Sequence, residues 1–129
     1  MIIVDASLIV EMLRSSPRGH RLRQQLDDDE LAAPDILPAE VTSALRGLRL
    51  SRQMEPAGTA SALSDLERMR IELYPSTPLL ARTLELGENL STYDALYVAL
   101  AEAFDAPLLT QDRRLATAPG VRCVIETQD

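Results

Sequence analysis

Four carboxylates stand out by their surroundings. Asp5 follows the apolar run "MIIV", Glu40 opens the helical pattern "LPAEVTSAL", Asp94 opens the apolar stretch "STYDALYVALA", and Asp112 follows "PLLTQ". Each falls at the exit of a strand-like run or in the first turn of a helix-like one. Taken singly, each has a plain structural role, because a carboxylate at a helix start caps free backbone N–H groups and complements the helix dipole. Taken together, the four could converge on one rim of a sheet, where their repulsion matters. Two unit charges about 4 Å apart repel by about 4 kcal/mol at an effective dielectric of about 20. Such a cluster needs shared protons or a cation, and an all-oxygen donor set suits a hard divalent ion such as Mg²⁺ or Mn²⁺. His20, among arginines, and Cys123, in the apolar run "VRCVIE", lie outside the pattern, so no zinc site is expected.

The elements that must position these acids follow from hydrophobic period and punctuation. Short strands are expected at 1–4, 31–33, 71–74, 106–110 and 121–125. Helices are expected at 6–16, where Leu8, Ile9, Met12 and Leu13 share a face, then at 18–27, 37–53 and 55–70. The stripe of 37–53 comprises Leu37, Val41, Ala44, Leu45 and Leu48, with Pro38 suited to a first turn. A further helix begins with Thr77 as cap and Pro78 as first helical residue and ends near Gly87; another spans 92–104, and "DRRLAT" makes a short helical turn. Ser91 is the expected N-cap of helix 92–104, with Asp94 three residues on, as in a capping box. The order βααβααβααβαβ implies a single α/β domain over 1–129, a parallel five-stranded sheet flanked by helices, because each parallel return needs a crossover of a dozen or more residues. Ligands of such open sheets bind beyond the carboxyl ends of the strands, where the four acids fall.

Composition narrows the function classes. No apolar run approaches a membrane span, and "IIV" follows Met1 directly without a basic leader, so a soluble, cytoplasmic protein is expected, with no membrane partner. The net charge of -7 is unfavourable for nucleic acid, which usually meets a basic surface. Setting the four acids aside leaves -7 + 4 = -3, and all 13 basic residues are arginine, several clustered in "RGHRLR" and "RGLRLSR". Arg46, Arg49 and Arg52 recur at helical spacing and could form a phosphate-binding ridge or simply a solvated face.

The segments "IIVDAS", "LPAEVTSAL", "STYDALYVALA" and "LLTQDRRL", in this order over essentially the whole chain, resemble the PIN-domain family, and the short single-domain form resembles its VapC toxins. The resemblance implies a Rossmann-like, three-layer α/β/α fold and a Mg²⁺- or Mn²⁺-dependent endoribonuclease. It places the metal-binding and catalytic acids at Asp5, Glu40, Asp94 and Asp112, and supporting hydroxyls at Ser7 and Thr110. It further implies a homodimer and a VapB-like antitoxin whose C-terminal segment fills the active-site groove. Leu63, Leu66 and Met69 could line part of that groove or pack on their own core.

The chemistry expected of such a site is hydrolysis of an RNA phosphodiester by water, leaving 5′-phosphate and 3′-hydroxyl ends. Arg46, Arg49, Arg113 and Arg114 are candidates to grip the RNA backbone. A receiver domain or aspartyl-phosphate phosphatase also places an Asp after its first strand, but as a family each uses a Lys, and this chain has none. The rival from another class is a non-catalytic interaction or dimerisation module in which the acids serve as caps.

Overall fold

The computed structural model describes residues 1–128. Five strands, β1 (Ile2–Val4), β2 (Leu31–Pro34), β3 (Ile71–Tyr74), β4 (Leu108–Thr110) and β5 (Ile125–Thr127), form one parallel sheet in the order β3-β2-β1-β4-β5. The helices between them are α1 (Ala6–Leu13), α2 (Pro17–Leu26), α3 (Leu37–Leu50), α4 (Pro56–Arg68), α5 (Leu80–Glu85), α6 (Thr92–Phe104) and α7 (Arg113–Ala116). From β1 the chain steps outward to β2 and β3, then returns across the sheet to β4. Crossovers between parallel strands are right-handed, so this reversal puts α1 to α4 on one face and α5 with α6 on the other. The result is the expected three-layer α/β/α arrangement.

The sheet is covered on both faces, and its central strands accordingly read as continuous apolar runs. Ile3, Val4, Ala32, Ala33, Leu108 and Leu109 are all buried. On one side the predicted face of α1, Leu8, Ile9, Met12 and Leu13, is buried in full. On the other, every residue of α6 from Ala95 to Ala101 is buried, as a helix apolar on all sides requires. No helix among the described residues is long and apolar enough to cross a membrane.

Five local expectations are corrected. The first helix stops at Leu13 and not at 16, because Ser16 takes the extended conformation required before a proline and caps α2, its hydroxyl accepting from Gly19 N–H at 3.0 Å. Thr77 does not cap a regular helix: a 3-10 turn (Thr77–Leu79) leads into α5, and a second (Leu86–Glu88) follows it. The cap position falls to Ser76, whose hydroxyl is spent on Asp35. Ala44 is exposed, and the buried stripe of α3 narrows to Leu37, Val41 and Leu45.

The last strand is Ile125–Thr127 and not 121–125, since pairing with β4 sets the register at Leu108↔Ile125. Val121, Cys123 and Ile125 still turn toward the core, so the alternation is right and only the ladder starts late. β4 likewise begins at Leu108, after a Pro107 that lacks an N–H but whose carbonyl accepts from Ile3 N–H at 2.9 Å.

Candidate active site

The strand order reverses between β1 and β4, and these neighbours pair at Val4↔Leu109. One residue further along each strand stand Asp5 and Thr110, thus brought side by side at the topological switch point of the sheet. Asp5 is buried, 6% exposed, and is the N-cap of α1. Its carboxylate accepts three hydrogen bonds: Oδ1 from Ser7 Oγ at 2.7 Å and from Leu8 N–H at 3.0 Å, and Oδ2 from the hydroxyl of the fully buried Thr110. Ser7 Oγ also accepts from Gln111 N–H at 3.1 Å, and Thr110 Oγ1 from Asp112 N–H at 3.0 Å. The two hydroxyls proposed from the resemblance therefore link both strand exits to Asp5.

Burial pushes the Asp5 carboxyl above its ordinary range; the bonds from Thr110, Ser7 and Leu8 oppose this, and the charge of Asp94 adds to it. Asp94 occupies the first turn of α6, where Ser91 is the N-cap as expected and accepts from Asp94 N–H at 3.2 Å. Glu40, in the first turn of α3, is half-buried; burial raises its carboxyl too, partly offset by Tyr97 and reinforced by Asp94 and Asp5. Asp5, Glu40 and Asp94 thus form one electrostatically coupled group.

Asp112 stands differently. It caps α7, and its carboxylate is taken by Arg114, with contacts of 2.9 Å to the backbone N–H, 3.1 Å to Nε and 2.8 Å to Nη2. Arg114 holds the Asp112 carboxyl below its ordinary range. The connection of Asp112 to the other acids runs through its backbone, by way of the Thr110 hydroxyl.

Sequence reasoning missed Tyr97. Its ring lies in the core, 2% exposed, and its hydroxyl donates to Glu40 Oε1 at 2.6 Å. Burial and then the Glu40 carboxylate keep that hydroxyl protonated far above its usual range. The signal was available: a phenol in an otherwise aliphatic buried helix needs a partner for its O–H, and Tyr97 lies three residues after Asp94, on the same face.

The remaining candidates sort by their contacts. Two arginines of "RGHRLR" serve the fold, Arg18 donating to the Gln128 carbonyl and Arg23 Nε to the Met12 carbonyl at 2.6 Å. Arg46, Arg49 and Arg52 are exposed. Leu63, Leu66 and Met69 are partly covered and pack against the core. His20 is exposed, and burial pushes the half-buried Cys123 thiol up to about 11, which makes it a poor nucleophile. A cleft of about 770 Å³ opens at the other end of the strands, lined by Met12, Arg23, Leu26, Leu31, Met69 and Ile71 among others; none of the four acids lines it.

The donor chemistry fits a hard divalent ion. Asp5, Glu40 and Asp94 offer carboxylate oxygens only, and their mutual repulsion is what a cation would relieve. Among the described residues no three His, Cys, Asp or Glu side chains form a ready cage. Mg²⁺ does not require one, since it usually binds one or two carboxylates and completes its shell with water and substrate phosphate.

Comparison with known proteins bears on the family and the fold. The PIN-domain family model matches residues 2–121. The chain is 42% identical over 126 residues to Ribonuclease VapC1 of Mycobacterium tuberculosis H37Rv, covering 96% of this chain and 95% of that protein. Among solved structures it is similar to a protein from Pyrobaculum aerophilum, with a TM-score of 0.71, 25% identity and coverage of 96% and 81%. It also resembles VapBC2 of Rickettsia felis, solved with a promoter DNA fragment, with a TM-score of 0.66, 18% identity and full coverage of both chains.

Proposed function

Because this chain belongs to the PIN-domain family, among the VapC ribonucleases, we propose that it is a divalent-metal-dependent endoribonuclease acting as the toxin of a toxin-antitoxin pair. The observation that carries the reading is the grip on Asp5: a buried carboxylate at the switch point, held by three donors and coupled to Glu40 and Asp94. A cap alone needs only the Leu8 N–H. Two further hydroxyls fix the group in one orientation, as a metal ligand requires.

Asp5, Glu40 and Asp94 would hold the ion, with Asp112 able to join once Arg114 releases it. Bound there, Mg²⁺ or Mn²⁺ supplies charge neutralisation at the scissile phosphate and lowers the pKa of water. The chain's own groups do the rest. Ser7, Thr110 and Leu8 N–H keep Asp5 from turning away from the rim. Tyr97 occupies Glu40 Oε1, leaving Oε2 to face the ion and orient the attacking water, whose proton passes to solvent. That water adds to phosphorus opposite the 3′ oxygen, the P–O3′ bond breaks, the departing O3′ takes a proton from solvent water, and the products carry a 5′-phosphate and a 3′-hydroxyl. Arg114, exposed beside Asp112, and Arg46, Arg49 and Arg113 are candidates for the RNA backbone.

The partner proposed is a VapB-like antitoxin, which the VapBC2 complex supports by its architecture, and the working form proposed is a homodimer. The experiment is a metal add-back: protein stripped with EDTA should leave RNA intact, and Mg²⁺ or Mn²⁺ should restore cleavage. Asp94→Asn should stay folded and inactive in both conditions. Cleavage that survives EDTA would refute the metal-dependent mechanism, and folded protein that neither binds Mn²⁺ nor cleaves RNA would favour the interaction module.

A further inference from the structure

We infer that Tyr97 is a positioning residue of the site, its hydroxyl aiming the Glu40 carboxylate and so letting one helix, α6, set two of the acids at once. This deepens the proposed function and rests on it. The argument is geometric. Asp94 and Tyr97 are three residues apart, hence neighbours on one face of α6. Asp94 presents its own carboxylate; Tyr97 reaches across to α3 and donates to Glu40 Oε1 at 2.6 Å.

Among the described residues, no side chain of α3 is seen to bond the Glu40 carboxylate, and Tyr97 is the hydrogen-bond partner seen for it. A glutamate with three rotatable side-chain bonds samples many positions unless a second group fixes it. The Tyr97 ring is 2% exposed and sits in a helix whose residues 95–101 are all buried, so its hydroxyl is delivered from a rigid mount. Packing alone would be served by Phe. The hydroxyl costs desolvation, and its return is the fixed bond to Glu40.

The test compares wild type with Tyr97→Phe, Glu40→Gln and their double variant, and uses Tyr93→Phe as control, since Tyr93 lies in the same helix but is 58% exposed. Mn²⁺ alone is titrated by isothermal calorimetry, below each variant's own melting temperature, and RNA cleavage is followed against Mn²⁺ concentration. Tyr97→Phe is expected to bind Mn²⁺ about ten- to hundred-fold more weakly, as loss of a group that orients a ligand does. Its cleavage should recover in part at high Mn²⁺, and the double variant should bind no worse than Glu40→Gln alone. Tyr93→Phe should match wild type. Wild-type Mn²⁺ affinity and cleavage in Tyr97→Phe, or additive losses in the double variant, would overturn the role of Tyr97 while leaving the metal site standing. Wild-type protein that neither binds Mn²⁺ nor cleaves RNA would overturn the reading of the site, and the role of Tyr97 with it.

Discussion

Thr110→Val isolates the contribution of one hydroxyl to the Asp5 carboxylate. The substitution keeps shape and volume, at a side chain with 0% exposure, and removes a donor to Asp5 Oδ2 and an acceptor for Asp112 N–H. A hydrogen bond to a charged group contributes about 1.5–3 kcal/mol to stability. The Asp112 N–H lies on a partly exposed residue and can turn to water, so it adds little. A net cost of about 1.5–3 kcal/mol follows. For a chain of 129 residues the unfolding entropy is about 0.27 kcal/mol/K, which converts this to a fall in Tm of about 6–11 °C.

Two internal checks accompany that figure. Thr110→Ser keeps the hydroxyl and should retain most of the Mn²⁺ affinity, while Thr110→Val should weaken it about ten- to hundred-fold. With one opposing donor gone, the Asp5 carboxyl moves further above its ordinary range, so the Tm deficit of Thr110→Val should shrink as pH falls and Asp5 becomes neutral. The assay is calorimetric unfolding of metal-free protein at pH 5 and pH 8, followed by Mn²⁺ titration. An unchanged or higher Tm with unchanged Mn²⁺ affinity would refute the reasoning, because it would mean Thr110 is core packing and nothing more.

Asp94→Asn should raise the Tm of metal-free protein by a few degrees, because it removes the charge that repels Asp5 and Glu40, yet lower RNA cleavage by at least about a hundred-fold; melting curves beside cleavage rates check both signs. The carboxyls of Asp5 and Glu40 are raised on folding, so the stability they contribute is full below their unfolded values and is lost as pH rises through their folded ones. Metal-free protein should therefore be more stable near pH 5 than near pH 8, and saturating Mn²⁺ should flatten or reverse that slope in pH-dependent melts. Asp112 works in the opposite sense, its depressed carboxyl losing its contribution only as pH falls below the ordinary aspartate range. Arg114→Ala should change Tm by less than about 4 °C, since exposed pairs contribute about 0–1 kcal/mol and the Arg114 side chain is 88% exposed, while making RNA binding less salt-dependent.

Much of this fold is legible in the sequence because its signals are local. The apolar runs at 1–4 and 106–110, bounded by turn residues, read as buried strands, and the face Leu8, Ile9, Met12, Leu13 reads as a helix packed on them. What sequence could not fix depends on partners distant in the chain. β5 begins at Ile125 because β4 sets its register, and Ser76 loses its capping role to Asp35, 41 residues away.

The site divides along the same line. Ser7 beside Asp5 is a local relation, and Ser91 as cap of the Asp94 turn is another. Thr110 needed the resemblance, because only the pairing of β1 with β4 brings it to Asp5 across a separation of 105 residues. Tyr97 was hidden by its own burial, counted among the apolar residues that mount Asp94. Asp112 falls after a strand as Asp5 does, and its pairing with Arg114, two residues on in α7, is a local relation that reading for a carboxylate cluster passes over.

The most direct measurement is sequencing of 5′-phosphate RNA ends after total RNA meets antitoxin-free protein and Mn²⁺, with Asp5→Asn as control. The account predicts discrete new ends that require metal and vanish in the folded Asp5→Asn variant. Ends that persist in Asp5→Asn, or that appear equally in EDTA, would contradict it.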